Sequence, residues 1–225
     1  MSSEVSAARA AGELARDIAA REVTPYVEVW GAPGADGVPT AVREPFQAAG
    51  LLDAELWAGA QVEVAWQLGR AGLQAAVAVL GVDARPDEAD LPDLRLAAAL
   101  AGAGDVLVQC GIAYAKERVA FGRPLAKMPV QRNLFARAAA GVDAALALCR
   151  RAAVGADPLD LAAALPVAAD AAWLAAETAL QVHGGNGYTD DYPVSRMWRE
   201  VAAVRAALPR TAYDDATWAA ATSGT

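Results

Sequence analysis

Two short stretches of this chain carry residue types suited to holding an anion. The first runs from Gln181 to Pro193 and places Gly184, Gly185 and Gly187 within four residues, just after His183. Glycine weakens a helix, so three of them at the end of an Ala/Leu-rich helical pattern mark a turn with a purpose. A turn rich in accessible backbone N–H groups makes a concavity that accepts negative charge. The second stretch runs from Tyr114 to Pro124 and contains Arg118, Phe121 and Gly122. Arginine keeps its charge and offers a planar fork of donors that matches phosphate and carboxylate oxygens. His183 is the only histidine. A lone imidazole can carry protons near neutral pH, or it can be purely structural.

Helices must position both stretches. Apolar residues recur near helical spacing over 4–22, where Thr24-Pro25 ends the pattern. Gly31 to Val38 reads as a Gly/Pro loop, and Thr40 as the cap of a short helix closed by Gly50. Residues 54–80 hold one or two helices, with Gly69 on the apolar face as a weak point. Residues 81–92 form a linker with two prolines and four acids. Long helices follow over about 93–120, 130–154 and from Pro158 to the glycines, with Asp157 as an N-cap and Pro166 inside. A fourth runs from Pro193 to Pro209, and a last short one over 214–221. No segment alternates like a strand, so the sequence predicts an all-α fold with antiparallel helices in a bundle.

Composition agrees. Alanine dominates a chain that is 56% hydrophobic but only 6% aromatic, which favours helix. With 20% charged residues, buried subunit contact is expected. A net charge of −8 argues against nucleic acid or an anionic membrane as partner. The charge is uneven. Lys116, Arg118, Arg123, Lys127, Arg132 and Arg137 face only Glu117, a local +5 that leaves −13 elsewhere. Cys110 and Cys149 lack metal-ligand spacing and read as reduced thiols, which suggests a cytoplasmic protein. Asp, Arg or Glu interrupt the alanine-rich runs, so none reads as a membrane span.

Together, the two stretches resemble the C-terminal helical domain of the acyl-CoA dehydrogenases, flavoenzymes that desaturate acyl thioesters. Residues 14–25, 46–52 and 61–80 resemble the family's N-terminal helices. Family members are longer and carry a β-rich middle domain, and the linker 81–92 stands where that domain would be. The expected organisation is an N-terminal helical region (1–80), the linker (81–92) and a C-terminal helical bundle (93–225).

The resemblance implies that Arg118 meets the pyrophosphate of FAD, with Phe121 packed beside the cofactor and Gly122 turning the chain. Gln181, Gly184, Gly185 and Gly187 would approach the ADP part of an FAD bound mainly by the adjoining subunit. The residues alone leave plainer readings open. Arg118 could be a surface arginine paired with Glu117 or Asp105, Phe121-Gly122 an ordinary helix end, and the glycine loop a helix C-cap. Where the family often has Phe-Gln with the glutamine on FAD, this chain has Met128-Pro129, with Gln131 two residues on.

Desaturation needs a carboxylate to remove the α-proton. The family's two sites for that glutamate fall at Leu208, counted from Arg199, and at Pro92, counted back from Tyr114. Neither is a carboxylate, so no catalytic residue is assigned. Asp90 and Asp93 stand near the second site, but their side chains are shorter. The resemblance therefore points to the degenerate subunit of heteromeric bacterial acyl-CoA dehydrogenases, some of which trim steroid side chains. A full-length partner would supply flavin pocket, acyl-CoA pocket and base. The alternatives are a flavin-free helical assembly protein, or a repurposed non-redox enzyme with a cavity lined by Trp66, Trp173, Trp198 or His183.

Overall fold

The computed structural model describes residues 2–30, 38–53, 56–82, 94–208 and 210–223. The expected linker therefore lies mostly outside the described residues. So do Asp90, Pro92 and Asp93, and the Gly/Pro loop up to residue 37.

The fold is all-α. Helix α1 (Ser2–Glu22) is followed by the short α2 (Val27–Trp30), a 3-10 turn at Thr40–Arg43 and α3 (Glu44–Ala48). Thr40 is the first residue of that turn rather than its cap. Helices α4 (Ala58–Ala71) and α5 (Leu73–Leu80) complete the N-terminal region. The C-terminal region contains α6 (Leu94–Glu117), α7 (Pro129–Gly155), α8 (Pro158–His183), α9 (Pro193–Ala207) and α10 (Arg210–Thr222). Asp157 caps α8 as its position predicts, its carboxylate accepting from the backbone N–H of Leu159 at 2.8 Å and of Asp160 at 3.4 Å. Pro166 sits within α8 without ending it.

The core is continuous from Ala15 and Ile18 of α1 to Val201 and Val204 of α9. At its centre, α6 packs against α4, α7 and α8. The break between α4 and α5 falls at Gly72, not at Gly69. Gly69 serves another purpose. A Cβ there would lie 1.9 Å from the Ala99 carbonyl oxygen, and one at Gly102 would lie 2.2 Å from that of Trp66. The two glycines let α4 and α6 approach backbone to backbone.

Two findings depart from the sequence reading. A small antiparallel hairpin, β1 (Val119–Ala120) and β2 (Arg123–Pro124), follows α6 where a helix end was the plain alternative. Helix α6, and α8 with the turn that continues it to Tyr188, are long and apolar enough to cross a membrane, whereas no such span was expected. Both are core helices: Leu96, Leu100 and Leu107 of α6 and Leu165 of α8 are fully buried against their neighbours.

Candidate functional site

The hairpin presents the second sequence stretch. Arg118 leaves α6 with its N–H donating to the Tyr114 carbonyl at 2.9 Å, and the Leu125 N–H returns to the Arg118 carbonyl at 2.9 Å. Between these bonds, Ala120 pairs with Arg123, leaving Phe121 and Gly122 as a two-residue turn. Both have positive φ, 52° and 74°, the pattern of a type I′ hairpin. Glycine accepts this region freely, but phenylalanine is strained there. Phe121 is also 93% exposed. A bulky aromatic is held in a costly conformation and left almost uncovered by the described residues.

Arg118 is exposed and forms no ion pair among the described residues. Its proposed acidic neighbour Asp105 instead binds Arg70, and accepts from Gln109 at 2.9 Å. The other five basic residues of this segment are exposed as well. Gln131 lies half-buried in the first turn of α7, after an N-cap at Met128 and proline at the first helical position.

The glycine stretch ends α8 as predicted. Gly184 turns with φ of 59°, and Gly184–Tyr188 forms a 3-10 turn. Added Cβ atoms at Gly184 and Gly185 would meet nothing within 4 Å, whereas one at Gly187 would lie 2.8 Å from the Leu180 carbonyl oxygen. Packing within the chain thus requires Gly187, and the turn requires Gly184. Neither accounts for Gly185, which faces open space. Gln181 is exposed one turn before the loop.

His183 is buried. Its Nδ1 lies 2.7 Å from the Ala179 carbonyl oxygen, so that nitrogen carries the proton as donor. The ring stacks on Tyr114 with centroids 4.0 Å apart and meets Tyr192 edge-on at 5.2 Å. Burial lowers its pKa from the ordinary imidazole value. A buried, neutral ring with an intrahelical partner serves the loop. Asn186 Nδ2 donates to the Tyr114 hydroxyl at 3.1 Å, and Arg199 binds both Asp190 (3.1 Å) and Ser195 (2.6 Å) beyond the loop. The two stretches identified in sequence therefore meet in space at Tyr114, Asn186 and Tyr192. All three lie within the quoted segments, but their pairing depends on tertiary contact that no local spacing encodes.

At the expected base position, Leu208 is a buried core residue at the end of α9. A cavity of about 660 Å³ does exist, between α1, α4 and the end of α7. Trp57 and Trp66 line it, but Trp173, Trp198 and His183 do not. Among its charged walls, Glu63 is held by Arg150 through two bonds of 2.6 and 3.1 Å.

The sequence pattern described as "Acyl-CoA dehydrogenase, C-terminal domain" matches residues 91–207, just over half of the chain. The chain belongs to the acyl-CoA dehydrogenase family. Glutaryl-CoA dehydrogenase of Desulfococcus multivorans is 33% identical over 114 residues, which cover 47% of this chain and 29% of that protein. The match thus spans less than a third of that relative's length. Among solved structures, glutaryl-CoA dehydrogenase from Mycobacterium smegmatis superposes with a TM-score of 0.76 at 14% identity, over 97% of this chain and 95% of that one. A chain of the ChsE4-ChsE5 complex from Mycobacterium tuberculosis gives 0.76 at 16% identity, over 96% and 98%. At such identities the likeness establishes the fold alone.

For this family the expected cofactor is FAD, and the residues present fit one end of it. Arg118 is exposed, with no ion pair among the described residues, close in sequence to the exposed Phe121, and Gly184 and Gly185 leave a surface that a Cβ would narrow. The flavin-ring end fits less well: Met128-Pro129, where the resemblance expects Phe-Gln, open α7, and Gln131 is drawn into its first turn.

Proposed function

We propose that this chain is a non-catalytic subunit of a heteromeric acyl-CoA dehydrogenase that completes the FAD site of a full-length partner. One observation carries the reading: Phe121, strained and 93% exposed, stands three residues from the exposed Arg118, which forms no ion pair among the described residues. Such a turn is half of a site, and a second body supplies the rest. One chain of the solved ChsE4-ChsE5 complex shares this fold over 96% of this chain and 98% of its own length, which lends support to a heteromeric assembly.

When bound, FAD accepts the hydride released from the acyl β-carbon. The residues of this chain do other work. Arg118 pairs with phosphate oxygens, Phe121 covers the cofactor, and the 184–187 loop gives its N–H groups to the ADP part. Removal of the α-proton from the acyl-CoA, whether of a fatty acid or a steroid side chain, falls to the partner, since Leu208 has no proton-accepting group. We place the assembly in the cytoplasm. Cys110 and Cys149 are free thiols, and burial pushes Cys149 up to about 12, which keeps it protonated and unreactive.

The test is co-expression with a full-length acyl-CoA dehydrogenase-like chain, the first choice being one encoded beside it. The two chains are expected to co-purify with FAD at a level neither holds alone, and Arg118→Ala is expected to lower that level. An isolated chain that binds FAD stoichiometrically and oxidises an acyl-CoA overturns the reading. A complex whose flavin content ignores Arg118→Ala points instead to a flavin-free assembly role.

A further inference from the structure

The half-site depends on where the glycine loop sits relative to Arg118. Loop and hairpin come from different helices, α8 and α6, and each is exposed at the positions that would meet a cofactor. Exposed loops drift unless something ties them down. Here a single side chain bridges the two. Tyr114 stands one turn before Arg118 and accepts the Arg118 N–H at its backbone carbonyl, at 2.9 Å. Its ring lies against His183 at 4.0 Å with an interplanar angle of 26°, and meets Tyr192 edge-on at 5.6 Å. Its hydroxyl accepts from Asn186 inside the loop at 3.1 Å. His183 cannot turn away, because Ala179 holds its Nδ1 at 2.7 Å. The loop is thus gripped at its start by His183 and inside by Asn186, and the segment that leaves it is held at Tyr192, all through one tyrosine on the helix that carries the arginine.

We propose that Tyr114, with His183, Asn186 and Tyr192, is the positioning device that fixes the 184–187 loop at a set distance from Arg118, so that both reach one cofactor. These are positioning residues. None is assigned a contact with substrate or flavin. The inference rests on the flavin-completing reading for its purpose, but the grip itself belongs to this chain alone.

Two measurements separate the two claims. In the isolated chain, hydrogen exchange at the backbone amides of residues 185–188 reads the grip. Tyr114→Leu removes both stack and hydroxyl, and is expected to speed exchange there about tenfold. Tyr114→Phe keeps the stack and is expected to restore most of the protection. In the co-expressed complex, the FAD dissociation constant reads the purpose. Tyr114→Leu and Asn186→Ala are expected to raise it by about three- to tenfold, with Tyr114→Phe between them and wild type and with complex stoichiometry unchanged. Asn186 is exposed, so its variant keeps the test open if Tyr114→Leu fails to fold. If Arg118→Ala weakens FAD while Tyr114→Leu and Asn186→Ala do not, the inference is overturned and the flavin-completing reading stands. If Arg118→Ala also has no effect, that reading fails and takes the positioning role with it, even with loop protection intact.

Discussion

Phe121 and His183 pull in opposite directions energetically. Phe121 costs the free chain stability, because its φ of 52° brings Cβ against the following carbonyl and the ring is 93% exposed, with little burial to offset the strain. Phe121→Asn turns the pair into Asn-Gly, the preferred sequence of a type I′ turn. It is expected to stabilise the isolated chain by about 1 kcal/mol in denaturant unfolding while lowering the flavin content of the complex. Loss of stability in the free chain would mean that Phe121 is packed after all.

His183 contributes to folding only while neutral. Burial holds its folded pKa below the ordinary value, so as pH falls through about 6.5 the unfolded chain takes up a proton that the folded chain refuses. Stability is therefore full above that pH, declines on acidification, and levels off once the folded imidazole protonates. Thermal melts between pH 7.5 and 5 are expected to show a falling Tm, with a smaller fall in His183→Phe. Asp160, whose carboxyl Arg151 holds below its usual range, stays ionised throughout that window and does not confound it.

At the scale of elements, the contact between α4 and α6 decides the architecture. Propensity alone predicts that Gly69→Ala and Gly102→Ala stabilise their helices by about 1 kcal/mol each. The geometry predicts the reverse, since each new Cβ would strike backbone of the facing helix, at 1.9 and 2.2 Å. Backbone cannot swing aside as a side chain can, so each variant is expected to lose about 1–3 kcal/mol in chemical denaturation.

Glu200 gives a second test. Its carboxylate accepts from the Leu73 N–H at 3.1 Å, capping α5 across the Gly72 break, and binds Arg196 at 2.6 Å with both side chains nearly buried. Glu200→Ala leaves that cationic side chain without its partner and is expected to cost about 3–5 kcal/mol, visible in the same experiment.

These elements also show where sequence reading stopped. The long helices and the Asp157 cap were legible because apolar spacing and capping are local signals. In sequence Gly69 reads as a weakness, because its reason, the Ala99 backbone, lies on another helix. The hairpin escaped because two-residue strands are too short to alternate. The Glu200 cap joins residues 127 positions apart in the chain.

At the scale of the molecule, the candidate site divides the same way. Arg118, Gly184 and Gly187 could be found from type and spacing, but the tyrosine that ties them together could not. Leu208 stands at one of the two positions where the resemblance expects the base, the other being Pro92, and a carboxylate placed at 208 is the direct test of catalysis by this chain. Leu208 is 6% exposed and belongs to the same core as Val201 and Val204. A carboxylate placed there would be buried among apolar side chains and driven towards its neutral form. Leu208→Glu is therefore expected to destabilise the chain by at least about 2 kcal/mol and to add no acyl-CoA-dependent flavin bleaching to the complex beyond the wild-type level. A gain in bleaching would mean that a second acyl pocket opens onto α9, and that this subunit lost its chemistry by one residue rather than by its fold.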